Sequence, residues 1–346
     1  MDRHLEIFVL TTNQDHDGEV LDIQADQWVP YGEKAKVMYL AAGNRGYKNI
    51  QNAIDHVRPD TVYFNGMYSI PLLVFPLQIL NKRKEVRTVI APRGMLQAES
   101  LALKPWKKKV FLTFLRWFWL SKRIQWHVTT EQEKADVSRF WHADLKIHLL
   151  GNVPSFDPGY NPRISPLKSK KVFGTVALIS PMKNFHLVFS ALNALSEDVE
   201  YHLFGPVKDE QYWADCQKII GQLPANIAVV HHGEIQPYDV PRAIEALDFY
   251  IQPSKSENFG HSIFEAFNQG VPVIISDQTP WKRLKEKQAG WDVDLKHPEA
   301  LIKAIEEAIH LDDVSYLALR KGARKVAEQY MEANDFAADY LKLFSR

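Results

Sequence analysis

Short apolar runs rich in β-branched and aromatic residues alternate with longer stretches whose apolar positions recur every three or four residues. Residues 6–11, 37–40, 61–64 and 88–91 are the short runs of the first half, each of strand length. Between them, residues 47–57 put Ile50, Ile54 and Val57 at helical spacing, the pattern of a helix lying on one face of a sheet. This rhythm predicts a parallel α/β fold. A poorly periodic stretch, 151–169, carries Pro154, Pro158, Gly159, Pro162 and Pro166 and reads as a connector. The pattern then restarts with strands expected at 172–178, 199–204, 228–232, 249–252 and 271–276, and a helix at 185–195. These strands read as apolar runs rather than alternating ones, which suits a parallel sheet covered on both faces. Residues 313–344 are helical by the spacing of Leu317, Ala323, Val326, Tyr330, Phe336, Tyr340 and Leu343.

Composition adds limits. A chain of 346 residues is long for one domain and comfortable for two. The division expected is an N-terminal Rossmann-like domain at 1–155, a second at 156–330 and a C-terminal helix at 331–346 that returns to the first. Basic and acidic residues balance at 42 each, so no global field favours nucleic acid. One cysteine, Cys216, cannot make an internal disulfide, and no charged-then-apolar signal segment opens the chain, which together lead us to expect a cytoplasmic protein. The strongly apolar stretch at 110–120 contains Thr113 and Arg116 and falls short of the ~20 residues that span a bilayer.

Charge is nevertheless locally uneven. Residues 101–125 hold Lys104, Lys107, Lys108, Lys109, Arg116, Lys122 and Arg123 and no acidic residue, interleaved with Phe111, Phe114, Trp117, Phe118 and Trp119. Two readings stay open: a basic amphipathic helix that attaches to anionic lipid, or a core helix with aromatics inward and cations in water. The 13 histidines show no metal-ligand spacing with cysteine and there is no Asp-x-Asp pair, so no metal or other cofactor is expected.

The segment richest in chemistry is Ser254-Lys-Ser-Glu-Asn-Phe-Gly-His-Ser-Ile-Phe-Glu265, with Gly270 and an apolar strand after it. A strand ending at Gln252, a polar loop with Gly260 and a helix from about His261, stopped by Gly270, follow from the pattern. Ligands of open α/β sheets gather at the carboxyl ends of strands, and a helix N-terminus there offers N–H groups to phosphate. The loop Asn258, Phe259, Gly260, His261 and Ser262 is thus a candidate diphosphate seat. Glu257 in the loop and Glu265 a turn into the helix can bracket one ligand, each carboxylate accepting two hydroxyl hydrogen bonds as a sugar or ribose diol presents them. Taken alone, each is equally a solvated loop charge or a first-turn helix acid.

Taken together, the string resembles the signature of glycosyltransferase family 4, whose two glutamates stand seven residues apart around Phe-Gly and precede Glu-Ala and a Gly-x-Pro-Val strand; Thr279-Pro280-Trp281 and Gly290-Trp291 match a bacterial branch of it. The resemblance implies a GT-B fold, two Rossmann-like domains facing across a cleft, and a retaining, metal-independent transfer of a hexosyl-type sugar from a nucleotide-diphosphate sugar. The implied acceptor is a saccharide or lipid-linked sugar of cell-surface polysaccharide synthesis. Glu257 is implied to contact the donor sugar, Glu265 the ribose, and Lys183 of Ser180-Pro-Met-Lys183 the diphosphate, while Gly205-Pro206 and Gly233-Glu234 resemble the nucleotide-proximal turns. On the acceptor side, Tyr63-Phe-Asn-Gly-Met67 and Ala91-Pro-Arg-Gly-Met-Leu96 resemble the branch's loops and single out Asn65, Arg93 and Gly94. Many relatives have His where Arg93 falls. Arg93 is expected either to bind an anionic group or to form an interdomain salt bridge. Two departures stand out: Leu178 replaces an expected Arg, and a strand, Gly-rich loop and helix expected ahead of residue 6 are not found. A weakly active or inactive sugar-nucleotide-binding subunit, acting with a partner, is therefore the alternative function.

Overall fold

The computed structural model describes residues 5–14, 18–102, 105–118, 123–141, 145–160 and 170–344. The chain divides into two compact units: residues 1–150 with 339–346, and residues 151–338.

In the first unit the order is β1 (Ile7–Thr12), β2 (Val29–Tyr31), β3 (Ala35–Leu40), α1 (Tyr47–Val57), β4 (Thr61–Asn65), α2 (Phe75–Leu80), β5 (Arg87–Ala91), α3 (Ala98–Ala102), α4 (Pro105–Phe118), β6 (Ile124–Val128), α5 (Glu131–Phe140) and β7 (Lys146–Leu149). The strands form two sheets, β1-β3-β2 and β4-β5-β6-β7. All pairings are parallel except that of the short β2 with β3. One core serves both sheets: Leu40 of β3, Ile50 of α1, Phe64 of β4, Ile90 of β5 and Trp126 of β6 meet in it.

The outer strands are unlike one another. β2 has three residues including Pro30, and β7 has four and begins with Lys146, which are ordinary protections of a sheet edge. β1 and β4 also pair on one side only, yet they read Ile-Phe-Val-Leu-Thr-Thr and Thr-Val-Tyr-Phe-Asn, with Ile7 and Val9 exposed.

The second unit contains β8 (Lys171–Val176), α6 (Phe185–Leu192), β9 (Val199–Phe204), α7 (Glu210–Ile220), β10 (Ile227–Gly233), α8 (Val240–Glu245), β11 (Phe249–Gln252), α9 (His261–Asn268), β12 (Val273–Ser276), β13 (Gly290–Val293), α10 (Glu299–Ile309) and α11 (Asp313–Glu332). Its six strands lie in the order β10-β9-β8-β11-β12-β13, all parallel. That is a doubly wound sheet whose winding reverses between β8 and β11. One apolar cluster, with Phe173, Phe189 and Tyr201, covers one face; another, with Tyr250, Phe264 and Trp281, covers the other. Gly290 is obligatory where β13 starts, because at φ 133° a Cβ would stand 1.9 Å from the Val273 carbonyl oxygen.

The C-terminal periodicity resolves into two helices. The chain leaves helical form after Glu332 and restarts as α12 (Phe336–Phe344), where Asp335 Oδ1 accepts from the Ala338 N–H at 3.0 Å. Within the first unit, Arg87 Nη1 donates to the Leu343 carbonyl at 3.0 Å and Thr61 Oγ1 to that of Phe344 at 3.1 Å. Residues 101–125 are likewise not one helix. Ile124 and Gln125 belong to β6, with Arg123 just before it. Pro162, Pro166, Lys104, Trp119 and Lys122, like the side chains of Trp117 and Phe118, lie outside what is described.

Candidate functional site

At the reversal of the sheet, the loops that leave β8 and β11 stand side by side. The first passes through Leu178 and Ser180 into a turn at Pro181–Lys183, then through Asn184 at φ 59° into α6. The second runs from Pro253 to Gly260, at φ 76°, and into α9. The Lys255 N–H donates to the Met182 carbonyl at 2.9 Å and ties them together. Farther along, the Glu257 N–H donates to the Gln278 carbonyl at 3.0 Å, and the indole of Trp281 donates to the Phe259 carbonyl at 2.7 Å. Phe259 is itself buried against Phe264, Trp281 and Tyr330. Thr279-Pro280-Trp281 therefore has a structural task, which is to hold the ring and carbonyl that shape the loop.

This folding brings Lys183 onto Glu257, Nζ to Oε1 at 2.5 Å, with side chains 23% and 13% exposed. Gln252 Nε2 and Ser254 Oγ donate to the same oxygen at 2.8 and 2.9 Å. Ser262, in the first turn of α9, donates to Gln252 Oε1 at 3.1 Å. The N-cap of α9 is Gly260, which carries no side-chain oxygen to cap the first-turn N–H groups. His261 is exposed and its ring lies 4.8 Å from that of Phe259. Sequence reasoning missed Gln252 and Ser254; the available signal was a polar residue ending an otherwise apolar strand.

Glu265 is different in kind. It sits one turn into α9, half-buried, and among the described residues no hydrogen-bond or ion-pair partner of its carboxylate is found. Desolvation pushes its pKa up from the ordinary carboxylate range to about 7. A helix-terminal acid kept for local stability would be expected to sit in water or against a cation. This one is half-buried, with no cation found beside it among the described residues.

At the ends of β9 and β10, the Gly205 N–H donates to the Gly233 carbonyl at 2.7 Å, and His231 Nε2 donates to the Gly205 carbonyl at 3.0 Å. Gly205 has φ 137° and a Cβ there would lie 2.1 Å from the Ala177 carbonyl oxygen. Gly233 has φ 73° and open space around it.

The first-unit candidates form a separate polar cluster. Arg93 has φ 54°, unusual for a residue with a side chain. Its Nε donates to Asn65 Oδ1 and its Nη2 to the Tyr63 hydroxyl oxygen, both at 2.8 Å. Tyr63 in turn lies 2.8 Å from His127 Nδ1, and His127 Nε2 donates to the Leu150 carbonyl at 3.0 Å. Since that carbonyl only accepts, Nε2 carries the proton and Nδ1 accepts from Tyr63. Burial lowers the His127 pKa to about 4, so the ring is neutral at physiological pH. The Gly94 N–H is spent on buried Glu133, donating to Oε1 at 2.7 Å, while Thr129 satisfies Oε2. Asn65, Arg93 and Gly94 are thus brought together, on partners the sequence did not announce. Among the described residues no group of three or more His, Cys, Asp and Glu side chains is arranged to hold a metal ion.

Residues 161–326, inside the second unit, match the family described as glycosyl transferases group 1. No curated protein matches the sequence. Among solved structures, Anabaena HepE in complex with UDP and glucose is similar over 97% of this chain and 99% of its own, at 15% identity and a TM-score of 0.71. WaaG, a glycosyltransferase involved in lipopolysaccharide biosynthesis, is similar over 92% and 88% at 16% identity and a TM-score of 0.66. Sucrose-phosphate synthase of Thermosynechococcus elongatus is similar over 98% and 87% at 15% identity and a TM-score of 0.68. The chain therefore has the two-unit, parallel-sheet α/β architecture of GT-B glycosyltransferases.

The Glu265 geometry makes a prediction that needs no substrate. An acid whose folded pKa lies above its unfolded value loses its contribution to stability as pH rises through the folded pKa. Glu265→Gln removes that loss. We expect the variant to melt a few degrees above the wild type at pH 8, with the difference shrinking toward pH 5, in thermal unfolding across that range. Equal melting curves at every pH would show that the carboxylate is better solvated than its surroundings indicate.

Proposed function

We propose that this chain is a retaining, metal-independent glycosyltransferase of family 4 kind, moving a hexosyl-type sugar from a nucleotide-diphosphate sugar to a saccharide or lipid-linked acceptor in polysaccharide synthesis. The observation that carries the reading is the convergence of Lys183, Glu257 and the N-terminus of α9 at the carboxyl ends of β8 and β11. A diphosphate placed there meets one ammonium and the N–H groups of an uncapped helix, while Glu257 and Glu265 offer acceptors to sugar and ribose hydroxyls. Similar proteins support the choice of donor: HepE is seen with UDP and glucose and with UDP-glucose.

In this reading the acceptor hydroxyl attacks the anomeric carbon on the face from which the diphosphate leaves. The bond from that carbon to the diphosphate oxygen breaks, and the acceptor proton passes to the departing phosphate. Charge building on the leaving group is met by Lys183 and main-chain N–H groups, and the carboxylates orient rather than attack. The expected second cation is replaced by half-buried Leu178. That observation supports the alternative, a nucleotide-sugar-binding subunit with little or no turnover of its own.

α4 gives the reading a place to work. Trp106, Val110 and Phe114, one helical stripe, are 67%, 62% and 43% exposed, while Leu112 and Leu115 point into the core. Lys107, Lys109 and Arg116 are exposed beside the stripe. Lys108 instead folds inward, with Nζ donating to the Ser100 carbonyl at 2.5 Å and lying 5.1 Å from the Tyr68 ring centre. An apolar stripe flanked by cations suits the headgroup layer of an anionic membrane, where a lipid-linked acceptor resides. No helix among the described residues is long and apolar enough to cross a membrane.

Glu257→Ala should cut nucleotide release from UDP-glucose, or from whichever of the UDP-, GDP- and ADP-sugars is used, by about 10- to 100-fold, with nucleotide affinity kept. Glu265→Gln should weaken nucleotide affinity itself, and wild-type turnover should persist in excess EDTA. Nucleotide binding without release by the wild type would favour the subunit reading, and activity restored only by Mg²⁺ would end the metal-independent one. For α4, Lys107→Glu with Lys109→Glu should reduce sedimentation with phosphatidylglycerol vesicles while leaving the melting temperature unchanged, since each cation near such a surface is worth about 1 kcal/mol. Unchanged sedimentation would return the stripe to an ordinary protein surface.

A further inference from the structure

Three donors converge on one oxygen, Glu257 Oε1: Lys183 Nζ at 2.5 Å, Gln252 Nε2 at 2.8 Å and Ser254 Oγ at 2.9 Å. A carboxylate oxygen has about two lone pairs, so three donors oversubscribe it. They also differ in burial. Lys183 reaches in from a side chain 23% exposed, whereas Gln252 and Ser254 are 1% and 0% exposed. We infer that Gln252, seconded by Ser254, is a positioning residue that keeps Glu257 in place when Lys183 leaves it for the donor diphosphate. The inference rests on the reading above, in which Glu257 meets the donor sugar and Lys183 the diphosphate.

Its physical basis is an exchange of partners. The ion pair satisfies Lys183 before a donor arrives. A diphosphate carries more charge than one carboxylate and draws the ammonium away, leaving Glu257 partly buried without its cation. Were Lys183 the sole restraint, the carboxylate would swing toward water at the moment it is needed. Gln252 prevents this because its own amide cannot turn. Its Nε2 faces an oxygen that only accepts, while its Oε1 lies 2.5 Å from the Tyr250 hydroxyl and 3.1 Å from that of Ser262. A flip would set the amide oxygen against the Glu257 carboxylate, and that repulsion fixes the orientation, since the two hydroxyls could bond either end of the amide. Tyr250 is fully buried in β11, and Ser262 opens α9. Gln252 therefore fixes the loop carboxylate relative to both the strand and the helix that seat the donor.

The test compares Gln252→Met and Gln252→Glu with the wild type, using UDP-glucose as the donor probe, with GDP- and ADP-glucose in parallel, and nucleotide release as the readout. Gln252→Met keeps the length and removes the donor. It should lower kcat by about 10- to 100-fold while KM and calorimetric UDP affinity change less than about threefold. Gln252→Glu can donate only while protonated. Its turnover should recover toward the wild type at low pH and fall as the second carboxyl ionises against Glu257, a descent absent from the wild-type profile. A merely structural role would lower melting temperature and affinity together and leave the pH profile parallel to the wild type. Wild-type kcat in Gln252→Met, or a parallel profile in Gln252→Glu, overturns the inference while leaving the donor reading intact. Should Gln252→Met fail to fold, Ser254→Ala carries the same test, with an expected fall of about three- to tenfold in kcat at constant KM. A wild type that releases nucleotide from none of the three sugars overturns the donor reading and this inference with it.

Discussion

The pairing of β8 with β11 is the constraint on which the rest of the second unit depends. Here the sheet reverses its winding, and two loops that are far apart in sequence must emerge side by side. Phe249 lies opposite Phe173 and Tyr250 opposite Gly174. Gly174 cannot carry a side chain, because a Cβ would come within 2.7 Å of Leu247 and 2.8 Å of the His202 carbonyl oxygen. Asp248 locks the start of the pair by accepting from the Val172 N–H at 2.8 Å, and Thr175 locks its middle by donating to the Ile251 carbonyl. Everything chemical at the ends of these strands, including the meeting of Lys183 with Glu257, inherits its position from that register.

Two opposite electrostatic solutions stand next to each other on this frame. Glu257 is crowded with donors, and Glu265 has none among the described residues and is desolvated. The first keeps a charge oriented at the loop. The second leaves a carboxyl group uncompensated, which costs stability near neutral pH and which a ligand bringing hydroxyl donors would relieve. In the first unit, by comparison, both charged side chains of the polar cluster are paired. Buried Glu133 is fully satisfied by Gly94 and Thr129, which marks it as structural, while Arg93 is held in left-handed backbone geometry by Asn65 and Tyr63.

Local pattern made much of this legible. The helix at 47–57 and the strands at 199–204 and 249–252 coincide with α1, β9 and β11, because each has an unbroken apolar period and clear flanks. β6 escaped because Ile124–Val128 follows directly on a basic, aromatic stretch that reads as helix. β7 has only four residues, and β13 opens on a glycine. At the site, Glu257, Lys183 and the start of α9 were legible from the motif and its loop. Gln252 and Ser254 were not, since a polar residue at the end of an apolar run looks like a strand terminus until the fold sets it 2.8 Å from a carboxylate. Glu133 was hidden for another reason: its partner Gly94 is 39 residues away in the chain.

The central claim is that the carboxyl ends of β8 and β11 seat a nucleotide diphosphate, and amide hydrogen exchange with and without nucleotide addresses it without any acceptor. Saturating UDP, with GDP and ADP in parallel, should slow exchange at 180–186 and 254–265, where the two loops and the first turn of α9 supply their N–H groups. Binding that leaves these amides unchanged while protecting others, or no binding by any of the three nucleotides, would contradict the account.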